Sequence, residues 1–194
     1  MQYEAPQLPL YLGCPVWNCD QWHGRVFPEG TKRPQWLSWY TRMFNCVEGN
    51  SSFYSIPRPE HVARWGAEAA VGFRFCFKFP REISHERELV HAIQPTRQFL
   101  AVVEALAEAD RLGPTFLQLG PGFAADRFEV LSRYLHELPR EFPWAVEVRH
   151  ASWFDGGANE QRLDDLLKSL RIDKVICDSG SGIQLPPHER IERV

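Results

Sequence analysis

The sequence predicts an α/β fold in which short parallel strands alternate with helices. Short apolar runs, rich in β-branched and aromatic residues and bounded by Gly, Pro or polar clusters, recur along the chain. Such runs favour strands over helix fragments. The segments between them carry apolar residues at helical spacing, and the order never breaks into hairpins. At 194 residues the chain is long enough for one domain with a substantial core, expected to span residues 1–194.

The elements follow in order. A first strand is expected over Leu10–Trp17, then a short helix carrying Trp36, Leu37, Tyr40 and Phe44. A second strand, Cys46–Phe53, precedes a helix over Pro59–Ala70. The third, Phe73–Phe79, precedes a helix that Thr96 would cap, that carries Phe99, Val103 and Leu106, and that Gly113-Pro114 stops. After the fourth, Thr115–Leu119, the residues Phe128, Leu131, Leu135 and Leu138 form one helical stripe. Leu163, Leu166, Leu167 and Leu170 do the same after the fifth, Trp144–Val148, and Lys174–Cys177 is the sixth. Several runs are apolar on both faces, as strands covered on both sides are. No GxGxxG follows the first strand and no GxxxxGK[ST] loop occurs. An open doubly wound sheet and a (β/α) barrel both fit this pattern.

Composition excludes several classes. Lys and Arg number 22 against 25 Asp and Glu, giving a net charge of −3 with no block of like charges. That argues against a broad nucleic-acid footprint and leaves room for a local basic pocket. No run approaches the roughly 18 to 20 apolar residues of a membrane span, and the N-terminus does not read as a signal peptide. Of the five cysteines, Cys14, Cys46, Cys76 and Cys177 sit in or beside apolar runs, where a thiol behaves as a small buried hydrophobe, and only Cys19 lies in a polar loop. With no CxxC, the expectation is a reduced, cytoplasmic protein without a metal site or cofactor; a divalent metal has no support.

Polar residues stand near the carboxyl ends of most apolar runs. They are Glu48 and Asn50, Lys78, Gln118, Glu147 and Arg149, and Asp178. Glu48 and Asn50 are two apart, as are Glu147 and Arg149, so each pair shares one strand face, with Gly49 and Val148 turned toward the helices. Buried charges must be paired, hydrogen-bonded or wet. In parallel α/β folds the carboxyl ends of strands open the crevice where ligands bind. An internal network that fixes strand register is the plainer reading, and it is compatible with a site. The loops add Trp17, Trp22, Phe53, Tyr54, His85, His150 and Trp153. His150, beside Arg149 and near Glu147, is the better acid/base candidate. His23, His61, His91, His136 and His188 read as solvated surface.

These motifs resemble a known family. Glu48-Gly49-Asn50-Ser51-Ser52-Phe53-Tyr54-Ser55-Ile56-Pro57 resembles the E-x-N-x-x-F-Y-x-x-P stretch of the YecE-like proteins, a domain of unknown function. Leu12-Gly13 with Trp17, Trp22-His23-Gly24 and Phe27-Pro28 is similar to that family's opening. Phe75–Pro80 with Ile83-Ser84-His85, Leu117–Phe123 and Ala145–Trp153 match in family order. Cys14-Pro15 and Gly120 depart from the pattern. The resemblance implies a TIM-type barrel, related in shape to metal-dependent endonuclease and sugar-isomerase barrels. About six of eight βα units are visible, so the last two units are expected to be missing.

Three functions are weighed. In the first, an enzyme of hydrolase or isomerase type binds a small polar or anionic substrate at the barrel mouth. Glu48, Glu147, His150 and Lys78 are its catalytic candidates. Asn50, Tyr54, His85, Gln118, Arg149, Trp153, Asp178 and Trp17 are its substrate-binding candidates. In the second, a nucleic-acid-binding or processing protein sets Lys78, Arg81, His85, Arg149 and His150 against phosphates and stacks Trp17, Trp22 and Trp153 on bases. In the third, the same pocket is a non-catalytic ligand sensor.

Overall fold

The computed structural model describes residues 10–177. Five strands lie among them: β1 (Cys46–Gly49), β2 (Arg74–Phe77), β3 (Thr115–Gln118), β4 (Trp144–Glu147) and β5 (Asp173–Lys174). The helices are α1 (Trp36–Met43), α2 (Ser51–Tyr54), α3 (Pro59–Glu68), α4 (Ile93–Glu108), α5 (Phe128–His136) and α6 (Ala158–Leu170). β1 pairs with β2, and β3, β4 and β5 form a second sheet in that order, every pairing parallel. The two sheets meet through parallel bridges Phe75 to Leu112 and Lys78 to Phe116, and Phe79 N–H donates to the Phe116 carbonyl at 3.0 Å. Among the described residues the sheets do not close.

The expected strand over Leu10–Trp17 does not form. Asn45 N–H donates to the Leu12 carbonyl and Glu48 N–H to the Cys14 carbonyl, so the segment runs beside β1. The intervening rung is taken by a side chain. Cys14 N–H donates to Tyr40 Oη at 2.6 Å, and that hydroxyl donates to the Cys46 carbonyl at 3.1 Å. A hydroxyl spliced into the ladder holds the chains apart, and Pro15 has no N–H to offer the next rung.

The remaining strands are shorter than expected. β1 ends at Gly49 because α2 begins at Ser51, and Ser52 Oγ, fully buried, hydrogen-bonds the carbonyls of Gly49 and Lys78. α4 begins three residues before Thr96, which is no cap: its hydroxyl donates back to the Ala92 carbonyl and meets Tyr134 Oη at 2.8 Å. Pro95 is accepted in that first turn, where a backbone N–H would have no intrahelical partner.

Strand alternation separates two faces. Val47, Phe75, Phe77, Leu117 and Val146 are buried beneath the helices in one hydrophobic cluster. Gly49 also points that way, and a Cβ there would lie 2.2 Å from the Phe77 ring, so only glycine fits. The other face, with Cys46, Glu48, Cys76, Lys78, Gln118 and Glu147, is left to line a concavity. Among the described residues no helix is long and apolar enough to cross a membrane.

Candidate functional site

The inner face of the sheet forms a trough of about 620 Å³ lined by Glu48, Gln118 and Glu147 at the strand ends, with Cys46, Cys76 and Phe116 below. A hydrogen-bonded relay crosses it. Lys78 Nζ, just after β2, donates to Gln118 Oε1 at 2.6 Å, and Gln118 Nε2 donates to Glu147 Oε2 at 2.7 Å. Lysine only donates and a carboxylate only accepts, so the relay sets the amide's orientation. Gln118 and Glu147 are cross-strand partners at the last rung of β3 and β4, which brings their side chains into reach.

Glu147 is 4% exposed, and among the described residues its Oε1 has no hydrogen-bond partner. A buried polar atom without a partner costs about 1–3 kcal/mol, more when charged. One oxygen of this carboxylate is therefore held by the relay while the other stands ready for a donor. Glu48 shares the trough but is only half-buried, so the two carboxylates occupy different environments.

Cations converge from the other side. Burial holds the Lys78 ammonium below its ordinary value; Glu147 and Glu48 oppose that shift and Arg149 adds to it. His85 is likewise lowered, first by burial and then by the positive charges of Lys78, Arg81 and Arg149, with Glu88 opposing. Lys78 Nζ lies 4.2 Å from the centre of the Phe53 ring, which meets His85 edge-on at 5.1 Å. His85 Nδ1 is 2.8 Å from Ser84 Oγ. The structure thus brings together Glu48, Lys78, His85, Gln118, Glu147 and Arg149.

Other expected site residues stand elsewhere. Asn50 and Trp17 face a neighbouring pocket of about 300 Å³, also lined by His61 and Trp65, which meets the trough at Glu48. Asn50 Nδ2 donates to the Pro15 carbonyl, and Trp17 packs edge-on against Trp65 and Phe75. Tyr54 is 79% exposed and touches Phe53. Trp153 is corrected from a pocket wall to a core residue: it is fully buried, its indole N–H donating to the Phe123 carbonyl at 2.7 Å. It is therefore unavailable for stacking on a base, and Trp22 is already stacked on Tyr40. His150 caps the turn Ala151–Trp153, its Nδ1 accepting the Ser152 N–H at 3.1 Å, which leaves Nε2 as the nitrogen that carries the proton of the neutral ring. Asp178 lies outside the described residues.

Sequence reasoning did not single out Ser52, whose hydroxyl ties the end of β1 to Lys78, and it named Phe53 only as a loop aromatic, not as the ring beneath the lysine. Their signal was proximity to Glu48 and Asn50, but nothing local shows which way each points. The cysteines are also placed differently from expectation: Cys14, Cys46, Cys76 and Cys177 are half-buried and line the trough. Among the described residues no three His, Cys, Asp or Glu side chains are grouped to hold a metal ion.

The family model described as "Protein of unknown function DUF72" matches residues 11–193. The chain belongs to the DUF72 family. It is 38% identical to the UPF0759 protein YecE of Escherichia coli K12 over 184 residues, 95% of this chain and 64% of YecE. It is 26% identical to the UPF0759 protein YunF of Bacillus subtilis, over 87% of this chain and 60% of YunF. Crystal structures of two DUF72 family proteins share the fold. That from Thermotoga maritima MSB8 has a TM-score of 0.69 at 26% identity, covering 87% of this chain and 64% of its own. That from Enterococcus faecalis V583 has a TM-score of 0.67 at 25% identity, covering 87% and 62%. The chain thus spans somewhat under two thirds of the length of these DUF72 relatives.

Proposed function

We propose that the strands are part of a TIM-type barrel and that their carboxyl ends form the mouth of an enzyme site for a small, polar, anionic substrate. Parallel pairing in chain order, with helices over one face and polar residues at the strand ends, supports the barrel. Lys78 and Arg149 hold the anionic end of the substrate, and buried Glu147 and half-open Glu48 share acid–base work of hydrolase or isomerase type. His85, kept neutral by burial and by the cations around it, exchanges a proton at the rim. The relay fixes Lys78 and Glu147 relative to one another, so little ordering is required when substrate arrives.

One observation carries this reading: Glu147 is buried, one oxygen tied through Gln118 to Lys78 and the other without a partner among the described residues. The test is a thermal-shift screen of the protein and its Lys78→Met variant against phosphorylated sugars, nucleotides and organic acids. The expected result is that at least one anionic class raises Tm in the parent and not in Lys78→Met. If no anion stabilises the parent, or if both proteins respond alike, the reading falls.

A further inference from the structure

The pocket of about 300 Å³ beside the trough is built from different chemistry than the trough itself. Trp17, Trp65 and His61 supply aromatic walls, Glu48 and Asn50 supply polar ones, and no lysine or arginine lines it. The rings of Trp17 and Trp65 meet with centres 5.2 Å apart at 74°, two walls of a corner. Fully buried Phe75 lies 6.0 Å from Trp17 and 6.4 Å from Trp65, and fully buried Phe77 lies 6.0 Å from Trp65. The corner is thus anchored on the core. His61 stands one turn before Trp65 on α3, its ring 6.3 Å away. Asn50 Nδ2 donates to the Pro15 carbonyl at 3.3 Å, tying the end of β1 to the segment that carries Trp17.

What faces this pocket is not used by the chain itself. Elsewhere indoles are covered by the protein's own guanidinium groups: Arg42 lies 4.3 Å from the centre of Trp39, and Arg33 lies 5.4 Å from that of Trp36. Among the described residues no cation lies over Trp17 or Trp65, and the Glu48 carboxylate makes no hydrogen bond or ion pair. The Glu48 backbone is nevertheless fixed, its N–H bonded to the Cys14 carbonyl and its carbonyl to the Asn50 N–H. The face of an aromatic ring is electron-rich, so indole walls beside a carboxylate select against anions and for cations.

We propose that this pocket is a binding site for an organic ammonium group, seated in the Trp17–Trp65 corner with Glu48 as its counter-ion. A methylated ammonium suits it best. Its charge is spread over apolar groups that pack on the indoles, whereas a primary ammonium is strongly hydrated and gives up more on leaving water. The volume is at the small end of the roughly 300–1,000 Å³ of ligand pockets, the size for a compact head group. This site is independent of the anionic substrate proposed for the trough, where Lys78 is bonded to Gln118.

Calorimetric titration of the whole chain with choline and with 3,3-dimethyl-1-butanol, its uncharged carbon isostere, tests this at matched chloride concentration. Choline is expected to bind saturably and about tenfold or more tighter than the isostere. Glu48→Gln should weaken choline by about tenfold and leave the isostere unchanged. The inference is overturned if choline does not bind, or if the isostere binds equally well, which would make the pocket a neutral stacking surface. It is overturned equally if Glu48→Gln binds choline as the parent does. Should Glu48→Gln fail to fold, the parent's two titrations decide.

Discussion

The two faces of the same strands differ in what their residues do. On the helix-covered face Val47, Phe75, Phe77, Leu117 and Val146 are buried to within a few per cent, and Phe75 and Phe77 lie stacked 6.0 Å apart. On the inner face Cys46, Glu48, Cys76, Lys78 and Gln118 are half-buried, and buried Glu147 keeps one oxygen without a partner among the described residues. Apolar residues closely packed on one side supply stability. The other side holds charge in an arrangement that stability alone does not call for. The period of two along each strand assigns these jobs, so a substitution's effect should depend on the parity of its position.

The largest stability effect is expected on the covered face. Phe77→Ala should destabilise by about 3–5 kcal/mol in urea unfolding, because the ring fills space against Gly49 and Phe75. A loss of less than 1 kcal/mol would break the comparison. The seam beside β1 comes next. Tyr40→Phe leaves the Cys14 N–H and the Cys46 carbonyl without their shared hydroxyl and should cost about 1–3 kcal/mol.

The smallest effect belongs to the inner face and to pH. The imidazole of His85 is held below its ordinary value of 6.5, so as pH falls through 6.5 the unfolded chain takes up this proton before the folded chain does. Stability from this group is greatest above 6.5 and declines as pH drops toward the folded-state value. Urea midpoints at neutral and mildly acidic pH should show that decline, and His85→Asn should reduce it. An unchanged slope in the variant would assign the pH dependence to other groups.

Much of this division was legible in the sequence. The spacing of Glu48 with Asn50 and of Glu147 with Arg149 put each pair on one strand face, and Gly49 was read as facing the helices, where the Phe77 ring now accounts for it. What escaped depends on partners far along the chain. Leu10–Trp17 reads as a strand by composition, yet a hydroxyl 26 residues beyond Cys14 enters its ladder. Trp153 reads as a pocket wall, yet a carbonyl 30 residues away receives its indole N–H in the core. Nor does the sequence show that the turn following His150 engages one of its ring nitrogens. The clustering of thiols on the inner face was equally invisible, because apolar neighbours in sequence do not reveal which face of a strand is covered.

The central claim is that the strand-end relay is a built site rather than scaffolding, and urea unfolding of the Lys78→Met/Glu147→Gln double variant tests it most directly. Charges drawn together inside a protein gain little net stability, so removing both should leave the unfolding free energy within about 1 kcal/mol of the parent, or above it. A loss of about 3–5 kcal/mol would contradict the account and make the relay part of what holds the sheet together.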